Sequence, residues 1–198
     1  MTTSSAILRH IIHVGIFVVF LLSTHAAFAK TQPTLSVATS GTPSTYGNSV
    51  TFTATISSGP SGTITFYDGS TQIGTGTISS GKATCSTSTL GTGTHSITAS
   101  WPGNTNYYSV TSSAITQTVN QATPTLTVAS SANPSTYGGS VKFTATISSG
   151  PSGAVTFYDG SSSIGTGSIS GGKATYTTTS LTAGTHSITA NWPGSTNY

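Results

Sequence analysis

The 198-residue chain holds only 5 Lys or Arg and 2 Asp, with no Glu, so 4% of it is charged against about 25% in ordinary soluble domains. Ser (35) and Thr (42) make up 77 of the 198 residues, or 39%. So few ionisable groups argue against most acid–base enzymes and carboxylate metal sites, and against nucleic-acid binders, which need clustered Lys and Arg to displace counterions.

The first 29 residues stand apart. Met1–His10 is polar with one positive charge, Arg9, and Ile11–Leu22 is an apolar run of 12. Ala27-Phe28-Ala29 then places small residues where a signal peptidase reads them. This order predicts a secretory leader over residues 1–29, cleaved after Ala29. A spanning helix needs about 20 apolar residues, so an uncleaved anchor is the weaker reading. The mature chain is expected to be secreted or held at the cell surface, with no membrane span. Lys30, Lys82, Lys142 and Lys173 against Asp68 and Asp159 leave it at +2, too few bases and too scattered for nucleic acid. Cys85 is the only cysteine; it can form no intrachain disulfide and is read as a small buried apolar residue.

The mature sequence repeats itself. PSTYG begins at Pro43 and Pro134, FYDG at Phe66 and Phe157, GTHSITA at Gly93 and Gly184, and WPG at Trp101 and Trp192, every pair 91 residues apart. Pro33–Tyr107 lies over Pro124–Tyr198 without a gap, and about 55 of 75 positions are identical. A unit of this length is a domain rather than a solenoid repeat. The units are expected at residues 30–121 and 122–198. Their join, Asn120-Gln121-Ala122-Thr123-Pro124, is short and stiffened by proline, which should limit bending. Unit one continues past Tyr107 through Ala114–Val119, whereas the sequence of unit two stops at Tyr198, the counterpart of Tyr107. Unit two is therefore expected to lack its last strand, either because the sequence is partial or because the unit takes a strand from a partner.

In chain order, Leu35-Ser36-Val37 opens unit one. Next, Val50, Phe52, Ala54 and Ile56 alternate with Thr51, Thr53 and Thr55, the pattern of a half-buried antiparallel strand. The duplicate keeps Val141, Phe143, Ala145 and Ile147, and its one change, Lys142 for Thr51, falls on the outer face. Ile64 and Phe66 mark a further strand, ended by the turn pair Asp68-Gly69. Ile73 and Ile78 differ in parity across Gly74-Thr75-Gly76, which predicts a bulge that switches faces. Lys82–Cys85 follows, then His95, Ile97, Ala99 and Trp101 alternating with Ser96, Thr98 and Ser100, then Ala114–Val119. About seven short strands with no helical period read as a Greek-key β-sandwich.

Several segments resemble the bacterial immunoglobulin-like repeat domains, across nearly the whole mature chain. They are Thr65-Phe66-Tyr67-Asp68-Gly69, Ile73-Gly74, Gly81-Lys82-Ala83, Leu90-x-x-Gly93-Thr94-His95-Ser96-Ile97-Thr98-Ala99 and Trp101-Pro102-Gly103-Asn104-Thr105-Asn106-Tyr107. The resemblance implies an all-β fold of two tandem immunoglobulin-like sandwiches, in an exported or surface protein, and no particular ligand. That family often carries Asp where this chain has Asn104 and Ser195, so a calcium site in that loop is not expected.

His95 and His186 could be general bases or metal ligands. The better reading is structural: each stands where the tyrosine corner of such domains places a ring that bonds back to upstream backbone. Asp68 and Asp159 could join them and a serine in a hydrolytic triad, but a turn aspartate explains them with less. No GxSxG elbow is present. Neither catalysis nor a cofactor is therefore expected, nor a metal, since one Asp and one His per unit cannot complete a coordination shell. Trp101, Asn104, Asn106 and Tyr107, with Trp192 and Asn197 in the duplicate, could form a face that stacks on a sugar. The alternative is that Trp101 caps the core and its N–H finds a carbonyl. The expected role is a non-catalytic structural spacer or protein-interaction module at the cell surface, with surface proteins or glycans as partners. The runner-up is a carbohydrate-binding or adhesive module. Sparse charge on the sheet edges also predicts weak self-association.

Overall fold

A computed structural model describes residues 29–57, 59–148 and 150–198. The leader expected over residues 1–29 lies outside them, apart from Ala29. Unit one consists of β1 (Leu35–Thr39), β2 (Ser44–Thr45), β3 (Val50–Ile56), β4 (Thr63–Asp68), β5 (Thr71–Thr77), β6 (Lys82–Thr87), β7 (Gly93–Trp101), β8 (Val110–Thr111) and β9 (Ile115–Asn120). Unit two consists of β10 (Leu126–Ser130), β11 (Val141–Ile147), β12 (Ala154–Asp159), β13 (Ser162–Ser168), β14 (Lys173–Thr178) and β15 (Ile188–Asn191). Among the described residues there is no helix that could cross a membrane.

Unit one packs a sheet of order β1-β3-β6 against a sheet of order β2-β9-β7-β4-β5, with β8 beside β7. The strands pair antiparallel, except that β2 runs parallel to β9. Period-2 alternation builds the core. Val50, Phe52, Ala54 and Ile56 on β3 are all buried and face Ile64 and Phe66 of β4 and Ile97, Ala99 and Trp101 of β7. Burying one large apolar side chain is worth about 1.5–3 kcal/mol, so this shared face is what holds the two sheets together. All four lysines are exposed, Lys142 among them on the outer face of β11.

The expected bulge is present. Opposite β4, Phe66 pairs with Gly74 and Tyr67 with Gln72, which leaves Ile73 as the extra residue. The inserted residue reverses the parity of β5, so Ile73 and Ile78 both pack against the core. The two glycines serve a further purpose that the alternation did not reveal. They let β5 lie against β6 at the corner where the two sheets meet: a Cβ on Gly74 would overlap the Cys85 sulfur, and one on Gly76 the Thr84 carbonyl oxygen. Cys85 itself is a buried core residue, and burial pushes its thiol pKa up.

Unit two repeats this plan over β10-β11-β14 and β13-β12-β15. Among its described residues it has no counterpart of β8 or β9, and the consequence spreads inward. Gly184–Ser187 repeats the sequence of Gly93–Ser96, yet only the latter is strand, because only it has β9 to pair with. Leu90, Ile97, Ala99 and Trp101 are buried, whereas Leu181, Ile188, Ala190 and Trp192 are half-buried.

Candidate functional site

The two ionisable side chains of unit one that lie close together are His95 and Asp68. Asp68 ends β4, and His95 lies two residues into β7, the strand paired with β4. The His95 ring places Nδ1 2.7 Å from Asp68 Oδ2 and Nε2 2.8 Å from the Gly91 carbonyl oxygen, four residues upstream. The other Asp68 oxygen accepts the Ser96 backbone N–H at 3.1 Å. Unit two reproduces all three bonds, with His186 between Asp159 and the Thr182 carbonyl and Ser187 N–H on Asp159. The backward bond is the corner expected from the spacing. The carboxylate partner was not expected. The expectation that Asp68 and Asp159 are hairpin turn residues is corrected: the two-residue turn after Asp68 is Gly69-Ser70, and the aspartate side chain reaches across to β7. One signal for this was available: the two aspartates, and the two histidines beyond residue 29, recur at the same offset in a chain with no other acids.

This arrangement holds the ring in place by giving both of its nitrogens a partner. Carboxylate and carbonyl oxygens are acceptors, so both contacts are satisfied only when each ring nitrogen carries a proton. Burial disfavours the charged His95 ring, but the Asp68 hydrogen bond, the Gly91 carbonyl and the charge of Asp68 outweigh it, so its pKa is raised. For His186 the Thr182 carbonyl and the Asp159 hydrogen bond raise it likewise. A raised folded-state pKa adds stability that is full below the unfolded value of about 6.5 and is lost as pH rises through the folded value. We expect the urea midpoint to fall between pH 6 and pH 9, and the fall to shrink in the double variant His95→Gln/His186→Gln. An equal fall in that variant would show that other groups set the dependence.

The structure does not assemble the six residues of the aromatic loops into one exposed face, and the reading of Trp101 as a ligand contact is corrected. Trp101 is 1% exposed, and its indole N–H donates to the Ser61 carbonyl at 3.1 Å, so it caps the core. Trp192 makes the same bond to Ser152 from a half-buried position. Asn104 turns its side-chain oxygen onto its own loop, accepting the N–H groups of Asn106 and Tyr107 at 2.9 and 3.0 Å. Tyr107 lies edge-on to Trp101 with its hydroxyl over Gly59. Asn106 and Tyr108 remain exposed, and Lys30 sits 5.9 Å from the Tyr108 ring centre.

Asn197 has a different use. Its Oδ1 accepts the Thr92 backbone N–H of unit one at 3.2 Å, and the Thr92 hydroxyl donates to the Thr196 carbonyl at 2.9 Å. From the join, Gln121 Nε2 donates to that same carbonyl at 3.0 Å, and Ala122 N–H donates to the Asn197 carbonyl. Tyr198 meets Tyr46 of unit one edge to face, with ring centres 5.3 Å apart. Tyr137, at the position of Tyr46 in unit two, is 77% exposed. Nothing in the alternation marks Thr92, Tyr46 or Asn197 as partners, because they lie on different units.

Among the described residues no three His, Cys, Asp or Glu side chains converge as metal ligands would. No curated protein matches the chain. Among solved structures, the fibronectin(III)-like modules of CbhA from Clostridium thermocellum align over 79% of this chain and 84% of theirs, with 21% identity and a TM-score of 0.37. The family model of the bacterial Ig-like domain (group 3) matches twice, over residues 37–120 and 126–198. The chain therefore belongs to the bacterial Ig-like domains of group 3 and carries two such units in tandem.

Proposed function

We propose that this protein is an exported, non-catalytic spacer, which holds whatever it is joined to at a set distance from the cell surface. Bacterial Ig-like units commonly occur in surface or exported proteins and are generally structural or interaction modules. The observation that carries the reading is the junction. Five residues join the units, and four hydrogen bonds centred on Thr196 and Asn197, with the Tyr46–Tyr198 contact, tie them across it. A flexible tether needs none of these, since loosely joined domains move by default. The His–Asp corners support the same reading, as they spend the only mature histidines on fixing strands.

The test is orientational. Residual dipolar couplings from both units of the wild-type chain should fit a single alignment tensor. The double variant Tyr46→Ala/Asn197→Ala should need two tensors of different magnitude while each unit stays folded. Two unequal tensors in the wild-type chain would remove the spacer reading.

A further inference from the structure

Gln117, on β9, is 0% exposed, the most buried polar side chain among the described residues, and neither the His–Asp corner nor the junction uses it. Its amide is bonded on both sides. Oε1 accepts from the Thr39 hydroxyl at 2.6 Å, and Nε2 donates to the Ser44 hydroxyl at 3.1 Å and the Thr118 carbonyl at 2.9 Å. Two further bonds join the same segments: Thr118 N–H to the Thr42 hydroxyl at 3.0 Å, and Tyr46 N–H to the Asn120 carbonyl at 2.8 Å. Four bonds thus tie residues 39–46 to residues 117–120, in addition to the parallel pairing of β2 with β9.

The path of the chain gives these bonds a direction. It enters unit one beside Tyr107, where Thr31 forms a bridge and the tyrosine ring meets Trp101, the last residue of β7. It leaves after Asn120, and Val119 lies opposite Gly93, the first residue of β7. Entry and exit are therefore at opposite ends of β7, and a pull on the two sides of the unit acts along its strands.

We infer that unit one bears tension transmitted along the chain, and that the bonds gathered around Gln117 are the lock that resists it. A pull draws β2 toward the Trp101 end and β9 toward the Gly93 end. Because the two strands are parallel, they must slide past each other lengthwise, so the bonds between them are strained together rather than one after another. The buried amide raises the barrier further, since an unpaired amide out of reach of water is costly. Forced unfolding follows the height of that barrier rather than equilibrium stability. This goes beyond keeping a set distance and does not rest on the junction, because a chain that bends between its units transmits tension all the same.

Pulling single full-length molecules in two directions tests this, in a Cys85→Ala background with cysteine handles. Handles at Lys30→Cys and Gln121→Cys strain the lock lengthwise. Handles at Asn48→Cys and Gln121→Cys follow β2 and β9 at the same end, so that pull opens the pair bond by bond; all three residues are exposed. We expect the rupture force to be about threefold lower in the second direction. With the lengthwise handles, Gln117→Leu should lower the force by about a quarter, while Ile64→Val, in the core on β4 and away from the lock, should leave it within about a tenth. Equal forces in the two directions overturn the inference. So does an unchanged force in Gln117→Leu, or a loss in Ile64→Val as large as in Gln117→Leu, since the force would then track overall stability. Should Gln117→Leu fail to fold, the comparison of directions decides alone.

Discussion

Trp101→Ala is expected to lower the stability of unit one by about 3–5 kcal/mol, the usual cost of deleting a buried large aromatic. Domains of this kind are stable by about 5–15 kcal/mol in total, so the variant should be close to unfolding at 37 °C. Two losses combine. The ring leaves a cavity beside Phe66 and Ala99, and the Ser61 carbonyl loses its donor. Trp192→Ala provides the internal comparison, since the indole bond is the same but the ring is half-buried. The β8 residue Val110, which pairs with Trp101, has no counterpart among the described residues of unit two. Scanning calorimetry should therefore show the transition of unit one moving down by clearly more than that of unit two. Equal shifts would mean that the strands beyond Tyr107 add nothing to the environment of Trp101.

Gly76→Ala is the second large effect, about 3 kcal/mol, at the upper end of what overpacking usually costs. The added methyl would overlap the Thr84 carbonyl oxygen and lie 2.8 Å from the Thr84 nitrogen. Both atoms are main chain, so neither can rotate away, and β5 must separate from β6. Gly74→Ala meets only the end of the Cys85 side chain, which can move, and should cost less. In a Trp192→Phe background the fluorescence of Trp101 reports unit one alone, and urea midpoints of the two variants can be compared. If Gly74→Ala proves as harmful as Gly76→Ala, close main-chain approach is not what selects glycine at residue 76.

Much of the fold was legible because it depends on near neighbours along the chain. Backbone stereochemistry turns successive side chains to opposite faces of a strand, so Val50–Ile56 announces its buried face with no knowledge of the rest. The change of parity between Ile73 and Ile78 likewise pointed to an inserted residue, and the layout from Leu90 to His95 resembles the tyrosine corner of immunoglobulin-like domains, whose ring bonds backward. The candidate site was less legible. His95 and Asp68 are 27 residues apart and meet only because β4 and β7 are paired. Thr92 and Asn197 are 105 apart and belong to different units. Gln117 shares the inward parity of Ile115 and Val119, and its amide can be buried there because β1 and β2 bring the Thr39 and Ser44 hydroxyls to it.

The duplication separates these two levels. By itself the sequence determined the all-β class, the two units, the faces of their strands and the shortage of charge, since Ser and Thr take the outward positions that Lys and Glu usually hold. Tertiary structure decided which of those faces are covered. Gly-Thr-His-Ser is strand at residue 93 and not at residue 184, and Trp-Pro-Gly begins with a buried ring at residue 101 and a half-buried one at residue 192. Identical segments differ because burial and ladder bonds come from the neighbouring strand, and among the described residues β8 and β9 supply that neighbour only to unit one.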